Sequence, residues 1–317
     1  GGVRNEGLMA APDGQAALAA GSSVELVDSA LPNIAVRVSA PQGEVLNLGR
    51  IAVGGGRVDL AAAMVNQRGL VQADAIAGSG GSAGQIELRA SERTTLAAGS
   101  LTSATGRQGG EVRVLGAEVA LLDGSMIDVS GTQGGGSVLA GGGLQGRDPG
   151  LPNARALFMG PQALIRADAL ERGAGGRIVL WSDEATRAYG SLSARGGALG
   201  GDGGFIETSG GTLDAQPASV RTDAPAGAPG HWLLDPNDIL ISDQVDTNRV
   251  SDSPTFTSLD DGATVSTASI AAALQGGNNV VIATGNGGAN AQPGDIKMQG
   301  ATLNLQLGRR VSLTLTA

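Results

Sequence analysis

The chain has 317 residues, of which 54 are glycine, with a formal net charge of −9 and no cysteine. Glycine is more than twice as frequent as the roughly 7% of an average protein, and aromatic residues make up only 2%, which excludes a core built on aromatic rings. Disulfides and thiolate metal sites are excluded by the lack of cysteine. Basic residues do not cluster, so a nucleic-acid or anionic-membrane partner is disfavoured. No apolar run is long enough to predict membrane insertion.

One sequence phrase recurs along the chain: a lead glycine, a polar residue, and then alternating apolar positions. An early copy begins at Gly14, and the later copies begin at Gly56, Gly84, Gly110, Gly136, Gly176, Gly204 and Gly230. From Gly56 onward the spacings are 28, 26, 26, 40, 28 and 26 residues. A period of this size is typical of a stacked repeat.

Each repeat holds three short strand-like segments separated by glycines, as in the unit that starts at Gly110. Because alternate side chains of a strand point to opposite faces, the second and fourth residues after each lead glycine are predicted to face inward. These inward residues are Ala16, Val58, Ile86, Val112, Val138, Ile178, Ile206 and Trp232, and Leu18, Leu60, Leu88, Val114, Ala140, Leu180, Thr208 and Leu234. The pattern predicts an all-β fold, a three-sided parallel solenoid whose coils stabilise one another by stacking.

Two segments depart from the repeat. The unit from Gly136 is too long, and its surplus at 141–153 is predicted to be a loop that folds over the outward apolar residues Leu139 and Val179. Residues 242–262 are acidic and polar, and a short helix is predicted near 266–275, with Ile270 and Leu274 on one face.

The predicted organisation has three parts. Regular coils occupy 1–240, with the loop insertion at 141–153. An acidic excursion and the short helix occupy 241–279, and coils resume over 280–317. The chain opens inside a repeat, so we expect it to be a fragment of a larger protein.

Two stretches carry a family resemblance: Gly203-Gly-Phe-Ile-Glu-Thr-Ser-Gly, and His231-Trp-Leu-Leu-Asp-Pro-Asn-Asp-Ile-Leu-Ile. They resemble filamentous haemagglutinin-type exoproteins of Gram-negative two-partner secretion systems, and Ser22–Asp28 and Gly43–Ile51 look similar to the same family. The resemblance implies a right-handed parallel β-helix. It also implies export through a dedicated outer-membrane transporter to the cell surface or the medium, and a role in adhesion, aggregation or biofilm matrix. Some members of the family instead scavenge haem or deliver toxins.

The residues Trp232, Leu233, Leu234, Asp235 and Pro236 form the family motif and are interpreted as structural, with Asp235 and Pro236 shaping a turn or cap. His231 is the single histidine. Next to Asp235 it suggests acid–base chemistry, but a catalytic set needs a nucleophile and an orienting group as well. The favoured interpretation of His231 is therefore an outward residue on a structural motif.

Metal and catalytic alternatives are also weak in this sequence. An acidic run offers oxygen ligands for calcium but matches neither the EF-hand nor the nonapeptide spacing, so a solvated loop is favoured. Its members are Asp235, Asp238, Asp243, Asp246, Asp252, Asp260 and Asp261. Polysaccharide lyases share the parallel β-helix, but no outward column here combines aligned aspartates with arginine. The glycine pairs lack the Lys-Ser/Thr of a phosphate loop. We expect no catalytic residue, no metal and no cofactor.

One outward column offers a sharper hypothesis. Arg177, Phe205 and His231 each follow a lead glycine on successive coils, so they are predicted to form a stacked stripe. Such a stripe suits a sugar ring or a partner bound by stacking and cation–π contact. The expected function is a non-enzymatic β-helical segment of a secreted adhesin or biofilm-matrix protein that presents a binding surface for carbohydrate, host or sister cells. Capture of haem or a haem carrier, and polysaccharide lyase activity, are the alternatives.

Overall fold

The computed structural model describes residues 1–12, 14–28, 34–76, 81, 83–215, 219–236, 239–243, 263–284, 295–305, 307–308 and 310–317. Over these residues the strands form sheets of seventeen, eight and two strands. Among the described residues, neighbouring strands in the two larger sheets run parallel to each other. Stacked coils require this arrangement.

The strands that precede the long loop are mostly short. In chain order they are β1 (Val3–Asn5), β2 (Leu8–Ala11), β3 (Gln15–Ala19), β4 (Gly21–Asp28), β5 (Ile34–Pro41), β6 (Glu44–Asn47), β7 (Arg50–Val53), β8 (Arg57–Gln67), β9 (Leu70–Gln72), β10 (Gln85–Leu96), β11 (Leu101–Ser103), β12 (Glu111–Leu115), β13 (Glu118–Leu121), β14 (Met126–Asp128) and β15 (Ser137–Ala140). A 3₁₀ turn at Leu144–Gly146 lies inside the loop.

The remaining elements include the α-helix. In chain order they are β16 (Ala156–Met159), β17 (Leu164–Arg166), β18 (Arg177–Ala188), β19 (Ser191–Ser193), β20 (Phe205–Ala215), β21 (Ser219–Arg221), β22 (His231–Pro236), β23 (Ile239–Ser242), β24 (Ala263–Ser266), α1 (Thr267–Gln275), β25 (Asn279–Ala283), β26 (Ile296–Gln299) and β27 (Leu313–Thr316).

The solenoid has three faces. Two of them belong to one sheet, because the long strands β8, β10, β18 and β20 each bend around the corner between these two faces. Strand β10, for example, pairs with β12 through Gln85–Arg89 and with β13 through Arg93–Leu96. The seventeen-stranded sheet is therefore two faces: face A, which follows the lead glycines, and face B, which comes next along the chain. The eight-stranded sheet β2-β7-β9-β11-β14-β17-β19-β21 is face C. The predicted parallel β-helix is confirmed.

The core is continuous along the axis of the solenoid. Every residue predicted to face inward from the two alternating positions is buried, from Ala16 and Leu18 near the start to Trp232 and Leu234. Trp232 is fully buried, and its indole N–H donates to the Thr208 hydroxyl at 3.0 Å. The two-residue alternation after each lead glycine was therefore sufficient to identify the core of face A.

Two features were not predicted from the repeat: one lies within the coils expected over 1–240, and the other lies within the acidic excursion and helix expected over 241–279. Strands β4 and β5 pair antiparallel in a sheet of their own, so this hairpin leaves the solenoid between β3 and β6. On face B, β24 lies between β20 and β23, although it follows β23 in the chain. The alternation of apolar residues predicts which side chains of a strand face inward, but not which strand it pairs with. Both features are differences in strand pairing.

The predicted short helix is confirmed as α1, which takes the place of a face C strand after β21. The Ser266 hydroxyl caps it by accepting from Ser269 N at 3.1 Å, and Ile270 and Leu274 are buried as expected. No helix in the described ranges is long and apolar enough to cross a membrane.

Asn278 closes the free edge of face C. Its side chain accepts from both the backbone N–H and the hydroxyl of Thr222, the latter at 2.8 Å, and donates to the Val220 carbonyl at 2.9 Å. The residue is fully buried. One amide side chain thus satisfies the backbone groups that another strand would otherwise pair.

We expect Asn278→Leu, which keeps a similar volume, to lower the free energy of unfolding by about 3 kcal/mol, because two buried backbone groups lose their partners. Urea denaturation followed by circular dichroism measures this change. Gln275→Ala, on the exposed side of the end of α1, is the control and is expected to change stability little. Equal midpoints for the two variants would contradict the edge-closing role of Asn278.

Candidate functional site

A groove of about 740 Å³ runs along the corner where face C passes into face A. Glycine pairs form its floor, including Gly135–Gly136, Gly175–Gly176 and Gly203–Gly204. One wall is the outward column that follows the lead glycines, namely Gln85, Glu111, Ser137, Arg177, Phe205 and His231. The groove therefore follows the axis of the solenoid across six successive coils.

The floor is glycine because the coils approach each other closely at this corner. A Cβ atom on Gly176 would overlap the carbonyl oxygen of Gly136, and Gly204 and Gly230 stand in the same relation to the preceding lead glycine. The backbone groups of the floor are already paired. Gly176 N donates to Ala167 O at 2.7 Å, and Gly176 O accepts from Phe205 N at 2.9 Å.

The structure places the predicted stripe in register. Arg177 is the strand partner of Phe205, and Phe205 is the partner of His231. Arg177 and His231 are exposed and Phe205 is half-buried, and all three line the groove. The three side chains thus form a continuous strip of guanidinium, phenyl ring and imidazole over three coils.

The same column behaves differently at its other end. Arg57 donates to Asp59 at 2.8 Å and to Gln85 at 3.3 Å, and Glu111 pairs with Arg113. Within the described part of the chain, no hydrogen bond or ion pair of this kind is made by the side chains of Arg177, Phe205 or His231. The C-terminal half of the groove therefore offers polar and aromatic groups that are free to contact a ligand.

The loop 141–153 leaves the solenoid after β15 and folds back onto face A of later coils. Val179, which it was predicted to cover, is fully buried, and Leu139 is half-buried. The loop packs on Trp181, whose indole ring lies against Gly142 and Gly146. Asn153 ties its end by donating to Gly146 O at 3.0 Å and to Asp183 at 2.9 Å.

The tip of the loop is held by two buried carboxylates. Gln145 has a positive φ of 52°, which is unfavourable for a residue with a side chain. Its backbone N–H donates to Glu207 at 3.1 Å, and its side-chain amide donates to Asp235 at 2.6 Å. Glu207 is fully buried and Asp235 nearly so. These bonds stabilise the unusual conformation of the loop tip.

Burial dominates the electrostatics of this pair. It raises the pKa of the Glu207 carboxyl to about 7, although hydrogen bonds from Ser209 and from the Gln145 N–H act in the opposite direction. Burial also raises the pKa of Asp235, against an opposing hydrogen bond from Gln145. Glu207 was not singled out from the sequence. The available signal was its position, since it is the strand partner of Val179, the residue predicted to lie beneath the loop.

The residues of the family motif form strand β22 and its end. Trp232 and Leu234 are buried in the core, Leu233 is half-buried, and Pro236 pairs with Gly210 at the end of β22. Asp235 acts as a cap, although for the loop tip and not for its own turn. His231 projects into the groove, and no contact in the described chain joins it to Asp235.

The acidic run is only partly described. Asp238, Asp246, Asp252, Asp260 and Asp261 lie outside the described residues. Asp243 accepts from Thr302 N at 3.1 Å and from the hydroxyl of Thr267, so it ties the segment after β26 to the start of α1. Where the structure describes the chain, no group of three or more metal-ligating side chains is present. The groove, with its aromatic and cationic groups, is the candidate functional site.

No protein-family model and no curated protein sequence matches the chain. Among solved structures, the chain is similar to the crystal structure of the HMW1 secretion domain from Haemophilus influenzae. The two share 29% sequence identity with a TM-score of 0.62. The match covers 74% of this chain and 60% of that one.

The chain thus spans less than two thirds of the length of the structure it matches. That structure is the secretion domain of a protein related to two-partner secretion adhesins, which agrees with the resemblance of the Trp232–Pro236 motif at that coarser level. The similarity does not single out the filamentous haemagglutinin type. The chain therefore shares the β-helical fold of that secretion domain.

Proposed function

We propose that this chain is a non-enzymatic segment of a large, secreted surface or biofilm-matrix adhesin of a Gram-negative bacterium. In this role an outer-membrane two-partner secretion transporter exports the protein. The β-helix then acts as a stiff support that presents the Arg177–Phe205–His231 stripe to carbohydrate on host or sister cells. The similarity to the HMW1 secretion domain supports the secretion route.

The observation that carries the adhesive role is the stripe itself. Three groups suited to stacking and to hydrogen bonding lie side by side in one groove, and in the described chain no ion pair or hydrogen bond engages their side chains. Aromatic rings and guanidinium groups are enriched where proteins bind partners. Arg177 and His231 are exposed and Phe205 is half-buried, all at outward positions of the sheet, which favours a binding role.

The two alternatives have less support. A capture role relies on a loop free to reach a ligand, but loop 141–153 is tied at its tip to Glu207 and Asp235 and at its end to Asp183. A lyase role relies on acidic ligands beside a basic residue. The groove offers Arg177, but the acidic side chain of its wall, Glu111, is paired with Arg113.

The triple variant Arg177→Ala/Phe205→Ala/His231→Ala is expected to lose at least tenfold in affinity for a polysaccharide that the native chain binds, since all the contact groups are removed. Biolayer interferometry on immobilised polysaccharides measures this loss. The matched control is Arg166→Ala/Leu170→Ala/Arg172→Ala, three exposed side chains on or near face C. Unchanged affinity in the stripe variant would reject the proposed binding surface.

A further inference from the structure

We infer that the groove takes an extended glycan that carries carboxylates, with a carboxylate on Arg177, a sugar ring on Phe205 and a hydroxyl on His231. This inference deepens the proposed function and rests on it, because it names the chemical class of ligand for the same stripe.

The floor of the groove decides between a glycan and a peptide. An extended peptide binds a sheet through main-chain hydrogen bonds to a free edge. Here the backbone groups on the floor already bond to neighbouring coils, as with Gly204 N to Ala194 O at 2.7 Å and Gly204 O from His231 N at 3.0 Å. A ligand must therefore be recognised by the side chains of the wall and by contact with the flat glycine surface. Sugar rings, which have an apolar face and a rim of hydroxyls, fit those two kinds of contact.

The half-buried ring of Phe205 supplies the stacking surface. Its strand partners place a guanidinium on one side and an imidazole on the other. Adjacent strands lie about 4.8 Å apart, so all three groups are within reach of one sugar unit and its neighbours. A ring that stacks on Phe205 thus presents its substituents to Arg177 and His231 together.

Arg177 sets the preference for an acidic sugar. A guanidinium binds a carboxylate through two parallel hydrogen bonds, a geometry that neutral hydroxyls do not match. Among the described groups of the groove wall, Glu111 is engaged with Arg113, and Arg177 makes no ion pair, although its charge acts to lower the pKa of the buried Glu207 carboxyl. The chain as a whole carries a charge of −9, so attraction of an anionic polymer depends on this local contact and not on the overall field.

The dimensions of the groove favour a polymer over a single sugar. The wall runs from Gln85 to His231 across six coils, which corresponds to roughly 24 Å at about 4.8 Å per coil. Several sugar units fit along this length. A bound polymer would lie parallel to the solenoid axis. Its carboxylate would contact Arg177 in the C-terminal half of the groove.

The test uses alginate, a polyuronate, together with carboxyl-reduced alginate and neutral dextran as probes. Binding of each polymer to the native chain is measured by biolayer interferometry at low and at high salt. We expect alginate to bind at least tenfold more tightly than its carboxyl-reduced form, and this difference to shrink at high salt. Arg177→Ala is expected to lower alginate affinity at least tenfold and to leave the carboxyl-reduced polymer unaffected. Arg166→Ala, an exposed arginine away from the groove, is the matched control.

Two outcomes overturn the inference in different ways. If both forms of alginate bind equally and Phe205→Ala weakens both, the stripe binds glycans but does not select carboxylates, so the proposed function stands and the ligand class is wrong. If no probe binds, or if binding is the same in the stripe triple variant, the carbohydrate surface itself is rejected. Arg177→Lys separates geometry from charge, since retention of full affinity by lysine would show that the paired hydrogen bonds are not used.

Discussion

Gly176→Ala is expected to destabilise the solenoid by about 3 kcal/mol or more, although it adds one methyl group at a solvent-accessible corner. The added Cβ would overlap the carbonyl oxygen of Gly136 on the preceding coil. That oxygen accepts the ladder hydrogen bond from Arg177 N at 2.9 Å. The coils must therefore separate at this corner, which weakens the stacking that stabilises each coil.

The matched control for this variant is Gly7→Ala, because a Cβ on Gly7 has open space around it. There the substitution is expected to be neutral or slightly stabilising, since alanine restricts the unfolded chain. Urea midpoints of both variants, followed by circular dichroism, give the comparison. If Gly176→Ala unfolds at the same urea concentration as Gly7→Ala, close approach of the coils is not what requires the lead glycines.

Much of the solenoid was predictable from the lead glycines, because they recur once in each coil. Each lead glycine marks the corner, and the alternation after it assigns Ile178 and Leu180 to the core and Arg177 to the outside, as the structure has them. The column of Arg177, Phe205 and His231 followed from the same count, because parallel coils keep equivalent residues in register.

Departures from the repeat could not be predicted in the same way. Two examples are the antiparallel pairing of β4 with β5 and the pairing of β24 with β20. Both depend on contacts between strands and not on the pattern within a strand. The position of the loop tip over Glu207 depends on the positive φ of Gln145 and on contacts between residues 62 and 90 positions apart. Local alternation contains no information on such contacts.

The carboxyl group of Glu207 is expected to make the free energy of unfolding fall as pH rises from about 4.5 to about 7. In the folded chain burial raises its pKa to about 7, from an ordinary value of 4.5. Between these values the folded state holds more protons than the unfolded state, so raising the pH favours unfolding. At about 1.4 kcal/mol per pH unit, the loss reaches about 3 kcal/mol near pH 7 and does not grow further above it.

Glu207→Gln removes the titration and keeps an oxygen that accepts from Gln145 N, so its stability is expected to vary less with pH over this range. Urea midpoints at pH 4.5, 5.5, 6.5 and 7.5 compare the two slopes. Glu87→Gln is the matched control, since Glu87 occupies the corresponding face A position on another coil, where it is half-buried and paired with Arg89 at 2.8 Å. If the native chain and Glu207→Gln lose stability in parallel, the buried carboxylate beneath the loop does not cause the pH dependence. If stability varies less with pH in Glu207→Gln but not in Glu87→Gln, the pH dependence is assigned to the Glu207 carboxyl. Burial also raises the pKa of Asp235, but Asp235 is present in all three proteins and cannot cause a difference between them.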